Sequence, residues 1–163
     1  MAHNALTEHI ALGPCSFPPL TLPPCELNWR INPEGTSVSV QCVNRKKWVA
    51  LTPEEWVRQH WLQHLSTELG YPVGLISVEH PVKLNGMSRF ADIVCHDRSG
   101  QPLMLLELKR PAVALNKRTL DQVLRYHLTM RTPVVVISNG IQHQGFRFDN
   151  ADFHPLKTLA PFT

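Results

Sequence analysis

The sequence predicts a single domain of the α/β class, or α+β in some schemes, built on a mixed β-sheet. Three observations support this prediction. A capped helical pattern begins at Thr52, three strand-like runs with short turns follow it, and a second helical pattern precedes a fourth run. The predicted order is therefore helix, strand, strand, strand, helix, strand. At 163 residues, 43% of them hydrophobic, the chain has enough material for one core and too little for two ordinary domains.

The N-terminal part of the chain is rich in proline, which suits neither a regular helix nor a central strand. We therefore expect an irregular arm over residues 1–27. Residues 37–43 alternate between small polar and apolar side chains, which predicts a short strand or hairpin before the core. The core itself is expected within residues 47–140.

The first helix is expected over about residues 53–69. Thr52 suits the N-cap, Pro53 the first helical position, and Glu55 completes a Thr-x-x-Glu capping box. Apolar residues follow at helical spacing, and a glycine and a proline shortly after residue 69 indicate the end of the helix.

Three strand-like runs come next, at residues 75–82, 89–96 and 103–109. The turns between them, which contain Asn-Gly and Ser-Gly pairs, are short, and short turns favour antiparallel neighbours. The runs should therefore form a meander. The third run is apolar on both faces, as expected for a central strand that is covered on both sides.

A second helix is expected over residues 117–130, with Asn116 as its N-cap, and a buried strand over residues 134–137. The long connection from the third strand to the fourth suits a parallel pair, which predicts a mixed sheet with helices on both faces. The predicted buried stripe of this helix consists of Leu120, Val123, Leu124 and Leu128.

Composition narrows the class of protein without fixing its function. No apolar run approaches the roughly 20 residues of a membrane span, and residues 1–11 lack a secretion signal, so we expect a soluble, cytoplasmic protein with no membrane partner. The four cysteines are expected to be reduced; a Cys15–Cys25 disulfide is the less favoured alternative. The net charge of +3 permits a polyanionic partner without requiring one.

Glu107 and Lys109 are the first candidate site residues, because side chains two apart in a strand emerge on one face. In isolation, such a pair also fits a solvated strand end. Asp92 favours a functional site, since it lies in an apolar run where a carboxylate is costly unless it is compensated. Two neighbouring carboxylates need a cation or a shared proton, and oxygen ligands favour Mg²⁺ or Mn²⁺. The backbone carbonyl of Leu108 is a further candidate ligand, and Lys109 would orient water or stabilise charge on a phosphate.

This arrangement resembles the PD-(D/E)xK nucleases, which have a restriction-endonuclease-like core. Gln122 and Tyr126, at i and i+4 on the second helix, look like the QxxxY motif of the RecB-type branch. More closely, residues 47–140 resemble the N-terminal nuclease domain of type I restriction enzyme R subunits. The matching stretches are residues 51–58, 91–94, 106–111, 121–126 and 138–140.

The resemblance implies metal-dependent DNA hydrolysis, with Asp92 and Glu107 as ligands of Mg²⁺ or Mn²⁺ and Lys109 as the catalytic lysine. Gln122 and Tyr126 would flank the site; alternatively, Tyr126 packs in the core and Gln122 is solvated. Two more carboxylates are candidate metal ligands, but Glu55 is equally explained by its capping position and Glu79 by an exposed strand position. Basic residues that could hold DNA phosphates are Lys83, Arg89, Arg110, Lys117, Arg118 and Arg125.

Two departures from the family pattern qualify the resemblance. Ala91 replaces the proline of the name motif, which does no chemistry. No Walker A sequence or helicase motif occurs in these residues, so a complete type I activity would need a separate motor or restriction-system subunit.

His60 and His64 have the i, i+4 spacing of a zinc pair but lack the glutamate of HExxH, and no zinc site is expected there.

Three functions follow, in decreasing order of support. The first is a magnesium-dependent nuclease acting on DNA. The second is a non-catalytic DNA-binding or assembly module that keeps the fold while another chain does the chemistry. The third is an immunity or interaction protein without nucleic-acid contact.

Overall fold

The computed structural model describes residues 8–149 and 152–163 of the chain. The elements before the central core are β1 (Ile10–Leu12), β2 (Cys15–Phe17), β3 (Trp29–Ile31), β4 (Val38–Cys42) and β5 (Lys47–Ala50). The later elements are α1 (Pro53–Gln63), β6 (Ile76–Leu84), β7 (Met87–His96), β8 (Pro102–Leu108), α2 (Lys117–Met130), β9 (Val134–Ser138), β10 (His143–Asp149) and β11 (Asp152–Leu156).

A six-stranded mixed sheet in the order β11-β10-β9-β8-β7-β6 forms the centre of the fold. The predicted meander is confirmed, because β6, β7 and β8 pair antiparallel. The crossover through α2 makes β8 and β9 a parallel pair, with Leu106 opposite Val136. β8 is central, and Leu105 and Leu106 in it are fully buried.

The two helices cover opposite faces of this sheet, as predicted. Val57 and Trp61 of α1 pack with Leu106 in one core cluster, whereas Val123 of α2 packs with Leu105 in another. Burial on both faces explains why the third predicted strand is apolar throughout. The mixed α/β fold class is confirmed.

Helix α1 begins as the sequence predicts, with Pro53 at its first position and the Thr52 hydroxyl accepting a 3.1 Å hydrogen bond from the backbone N–H of Glu55. The reciprocal half of the predicted capping box is wrong, because the Thr52 N–H donates to the carbonyl of Ala50 instead. The Glu55 carboxylate is held by other side chains, described below. Beyond Gln63 the helix widens into a π-helical segment, His64–Glu68, so the predicted end near residue 69 is confirmed.

Helix α2 has the predicted bounds, and the Asn116 side chain accepts a 3.2 Å hydrogen bond from the N–H of Thr119. Of the predicted buried stripe, Val123 is buried, Leu120 and Leu124 are half-buried, and Leu128 is wrong because it is 75% exposed. The buried residues of the helix are Thr119, Val123 and Tyr126, which follow i, i+4, i+7 spacing. Helical spacing allows either stripe, and docking on the sheet selects this one.

Several strands lie where the sequence predicts none. The arm over residues 1–27 is not irregular throughout, because β1 and β2 form a hairpin within it; residues 1–7 lie outside the described part of the chain. β4, predicted at 37–43, is the middle strand of a small sheet with β3 and β5. Beyond residue 140, β10 and β11 extend the central sheet. These strands are short or carry many polar residues, so they lack the apolar runs of β8 and β9.

Two expectations about the whole chain can be compared with the structure. All four cysteines are free, so the prediction of reduced thiols is confirmed and the Cys15–Cys25 disulfide is absent. Within residues 8–149 and 152–163, neither helix has the length and apolar character needed to cross a bilayer.

Candidate active site

The candidate site lies where strands β7 and β8 separate. Their ladder reaches Ile93 opposite Leu106 and goes no further towards the end of β8. Beyond that point the side chain of Asp92 takes over the role of a backbone partner, because its Oδ2 accepts a 2.7 Å hydrogen bond from the N–H of Leu108. The carboxylate of Asp92 is therefore held next to the chain segment that carries Glu107.

Glu107 is at the centre of a polar cluster on β8 and α2. Its Oε1 accepts hydrogen bonds from Lys109 Nζ at 2.7 Å and from Gln122 Nε2 at 2.6 Å. Lys109 Nζ also lies 3.5 Å from Gln122 Oε1. The side chains of Glu107 in β8 and of Lys109 just beyond its end therefore lie on the same side, and α2 places Gln122 beside them.

Burial and charge act strongly on Glu107, which is only 3% exposed. Burial, followed by the negative charge of Asp92, raises the pKa of Glu107 to about 7, although Lys109 opposes the rise. Burial alone would lower the pKa of Lys109, but its hydrogen bond to Glu107 raises it. The negative charges of Asp92 and Glu107 therefore act unfavourably on each other.

Arg58 of α1 is a site residue that sequence reasoning missed. It is buried, and its Nη2 donates a 2.6 Å hydrogen bond to Asp92 Oδ1 while its Nη1 donates a 2.5 Å bond to Glu55 Oε2. Burial would lower the pKa of Arg58, but Asp92 and Glu55 raise it. The local signals in the sequence are the spacings of Arg58 three residues after Glu55 and four after Glu54, whereas Asp92 lies 34 residues away.

Glu55 and Glu79, the two additional metal-ligand candidates, belong to a neighbouring ion-pair network. Glu55 is bound by Arg45, by Arg58 and by Gln59, whose Nε2 donates to it at 2.7 Å. Glu79 has a φ of 53° and lies 3.4 Å from Arg45 Nη1, with its side chain half exposed. Arginines therefore already balance the charge of both carboxylates.

Glu54 is a second first-helix carboxylate whose charge acts on the site. Burial, followed by the charge of Asp92, raises the pKa of Glu54, and Glu54 in turn contributes to the raised pKa of Glu107. Its Oε1 lies 3.3 Å from Arg58 Nη2. Adjacent residues on a helix point in directions about 100° apart, so only the docking of α1 distinguishes Glu54 from Glu55.

The oxygen atoms around Glu107 provide part of what a hard divalent cation needs as ligands. Oε2 of Glu107 is buried and has no hydrogen-bond partner among the described residues, so one carboxylate oxygen is available. Asp92 supplies a second carboxylate at the same point, and the main chain of Leu108 lies against it. Among residues 8–149 and 152–163 there is no cluster of three acidic, histidine or cysteine side chains placed to hold a metal. A cation here would rest on two carboxylates and main-chain or water oxygens.

The remaining predicted residues are distributed around this cluster. Tyr126 is buried in the core beside Leu105, which matches the packing alternative, and it also lines a groove next to Gln122. His60 Nδ1 donates a 2.8 Å hydrogen bond to the carbonyl of Trp56, so the ring is bound to the backbone of its own helix. Of the six basic candidates, Arg89, Arg118 and Arg125 line the same groove; Lys83, Arg110 and Lys117 are exposed elsewhere on the surface.

Comparison with known proteins gives one finding. No curated protein matches the chain. The family model described as "Type I restriction enzyme R protein N terminus" matches residues 53–160, about two thirds of the chain, which includes α1, the meander, α2 and every residue of the polar cluster. The chain therefore belongs to the family of type I restriction enzyme R protein N-terminal domains.

Proposed function

We propose that this protein is a metal-dependent nuclease that hydrolyses DNA phosphodiester bonds. The observation that supports this best is the arrangement around Glu107: a second carboxylate at Asp92, an ammonium group 2.7 Å away on Lys109, and a buried oxygen without a partner among the described residues. Such a cluster is costly in a purely structural role. Membership of a restriction-enzyme family makes DNA the expected substrate.

In this proposal Asp92 and Glu107 hold Mg²⁺ or Mn²⁺, with the backbone carbonyl of Leu108 as a further candidate ligand. A bound ion of this kind polarises a phosphate and makes a nearby water more acidic. Lys109, whose side chain is about one quarter exposed, stabilises negative charge that develops on the phosphate. Gln122 fixes the Glu107 carboxylate through its 2.6 Å hydrogen bond.

Arg58 acts on the other carboxylate. Its 2.6 Å hydrogen bond and the N–H of Leu108 together fix both oxygens of Asp92 in orientation. Each oxygen retains a second lone pair, so the carboxylate can still serve as a ligand. Helix α1 therefore positions Asp92, and α2 positions Glu107.

The test is cleavage of labelled single-stranded and duplex DNA by the purified chain with Mg²⁺, with Mn²⁺ and with EDTA. We expect cleavage that requires metal and that falls by at least about 100-fold in Lys109→Ala, since one charge-stabilising group typically contributes about 10²–10³ in rate. Lys157→Ala, at an exposed position just after β11 and outside the cluster, is the matched control and should cleave like wild type. Equal cleavage by wild type and Lys109→Ala would indicate a contaminating nuclease and refute the proposal.

A second candidate is a non-catalytic DNA-binding or assembly module that works with a separate motor or restriction-system subunit. It is favoured by one observation: both oxygens of Asp92 already accept hydrogen bonds, from Arg58 and from Leu108. This candidate predicts salt-sensitive DNA binding that Asp92→Asn leaves unchanged. Metal-dependent cleavage that is lost in Asp92→Asn would eliminate it.

A further inference from the structure

A groove of about 640 Å³ lies beside the polar cluster, between helix α2 and the tip of the β6–β7 hairpin. On the helix side, Arg118, Gln122 and Arg125 are at positions i, i+4 and i+7, so they form one stripe along the helix. On the hairpin side, Met87 and Arg89 face this stripe. The remaining lining residues are Leu84, Asn85, Asp121 and Tyr126.

The groove is suited to an anion. It contains three guanidinium groups and one carboxylate, Asp121, and none of the three arginines forms an ion pair with another residue in the described part of the chain. Arg118 and Arg125 are separated by about 10 Å along the helix axis, so they can contact different phosphates. One guanidinium group can donate two hydrogen bonds to the oxygens of one phosphate. Separated guanidinium groups therefore suit a phosphodiester backbone with successive phosphates better than a single charge.

The groove connects directly to the candidate site through Gln122. The side chain of Gln122 lines the groove and donates to Glu107 Oε1 at 2.6 Å. Lys109 Nζ lies 3.5 Å from the same amide. A strand that follows Arg118 and Arg125 therefore passes the carboxylate and the ammonium group of the cluster.

The shape and lining of the groove favour unpaired bases. Met87 is 54% exposed in the groove wall, and Leu84 is beside it, so the wall offers apolar contact next to the guanidinium groups. In a duplex the flat faces of the bases are stacked on each other, whereas in a single strand they are free to contact such a wall. A volume of about 640 Å³ is that of a small-molecule cleft and is enough to hold one or two nucleotide units.

We propose that the groove between α2 and the β6–β7 hairpin binds single-stranded DNA and leads it to Glu107. The inference rests on the proposed function for its ligand and adds the form of DNA that is bound. Arg118 and Arg125 hold the phosphates, and Met87 contacts a base.

The test is fluorescence anisotropy with a labelled oligothymidine and with a blunt duplex of the same length, in EDTA and at low salt. The full chain is compared with Arg118→Gln/Arg125→Gln and with Arg147→Gln/Lys157→Gln. The control variant removes the same charge from exposed positions outside the groove. We expect tighter binding of the single strand by wild type, and a loss of at least about tenfold in the groove variant alone.

Two results would overturn the proposal: equal or tighter binding of the duplex, or the same loss of affinity in both double variants. Because the measurement excludes metal, it does not depend on hydrolysis. Groove-dependent binding without metal-dependent cleavage would refute the proposed nuclease function and support the groove. Metal-dependent cleavage with unchanged single-strand affinity in the groove variant would do the reverse.

Discussion

Arg58 connects two buried or nearly buried carboxylates that lie on different elements. Its guanidinium group binds Glu55 on its own helix and Asp92 on β7, and it is itself buried. Arg45 binds the other oxygen of Glu55, so two arginines alternate with two acids. Charges that are taken out of water need such partners, and removal of one partner leaves the others uncompensated.

We therefore expect Arg58→Met to lower the free energy of unfolding by about 3–5 kcal/mol, because it leaves Asp92 and Glu55 without their shared cation. The measurement is urea denaturation followed by circular dichroism. Glu54→Gln is the matched control: its side chain is 44% exposed, and the loss of its ion pair with Arg58 should cost about 0–1 kcal/mol. Equal effects of the two substitutions would show that the Arg58 network does not stabilise the fold.

Helix α2 carries both Gln122 of the site and the arginine stripe of the groove. The first turn of the helix therefore helps to hold these side chains in position. The helix begins where the Asn116 side chain accepts a hydrogen bond from the N–H of Thr119. It ends at Met130 and is capped by Arg131, whose φ of 53° is in the left-handed region. Tyr126 and Val123 fix its rotation on the sheet, which turns Gln122 towards Glu107.

At this scale we predict that Asn116→Ala costs about 0.5–2 kcal/mol in unfolding free energy, because the N-cap bond is lost. Asn116→Asp should have little effect, since aspartate caps a helix about as well as asparagine. Thermal denaturation of the two variants side by side measures the difference. If Asn116→Asp were as destabilising as Asn116→Ala, a role of Asn116 other than capping would be required.

The whole molecule is held together by two cores on opposite faces of the central sheet and by a third core cluster in which Phe17 and Val40 pack against Trp56 of α1. The N-terminal arm is joined to the turn between β9 and β10. The N–H of Thr21 donates to the carbonyl of Gly140 at 2.9 Å, and Leu20 packs against the α1-side core. Gly140 has a φ of +84°, a conformation that side chains rarely adopt, and a Cβ there would lie 2.8 Å from the side chain of Leu20. Glycine is therefore needed where the arm crosses. Burial in this fold also lowers the pKa of several histidines, among them His60.

His60 should therefore contribute a loss of stability in mild acid. Burial lowers the pKa of His60, although its hydrogen bond to the Trp56 carbonyl opposes the shift. The stabilisation from keeping this ring neutral is complete above the unfolded pKa of about 6.5 and is lost as pH falls from there towards the folded pKa.

We expect wild type to lose more unfolding free energy between pH 7.5 and pH 5.5 than His60→Gln does, as measured by urea denaturation in EDTA at about those two values. Glu107, whose pKa is raised by burial, acts in the opposite direction. It is present in both proteins, so its contribution cancels in the comparison. An identical loss in both proteins would show that His60 does not contribute to the acid sensitivity.

Much of the fold could be predicted from local patterns. The cap at Thr52, the bounds of α2 and the buried run of β9 all follow from short-range chemistry and are confirmed. The hairpin β1–β2 and the pair β10–β11 could not be predicted, because their pairing depends on neighbours and their own sequences carry weak strand signals. The exposure of Leu128 shows the same limit for a helix, since two stripes were compatible with its spacing.

The sequence by itself determined that Glu107 and Lys109 share a face, because side chains in a strand alternate with a period of two. It also determined that Gln122 lies on the helix following that strand. Only the tertiary structure decided that Arg58 reaches Asp92, that the charge of Glu54 acts on Glu107, and that Arg118 and Arg125 line a groove together with Gln122. These relations join residues far apart in the chain, and no local period encodes the docking of one element on another.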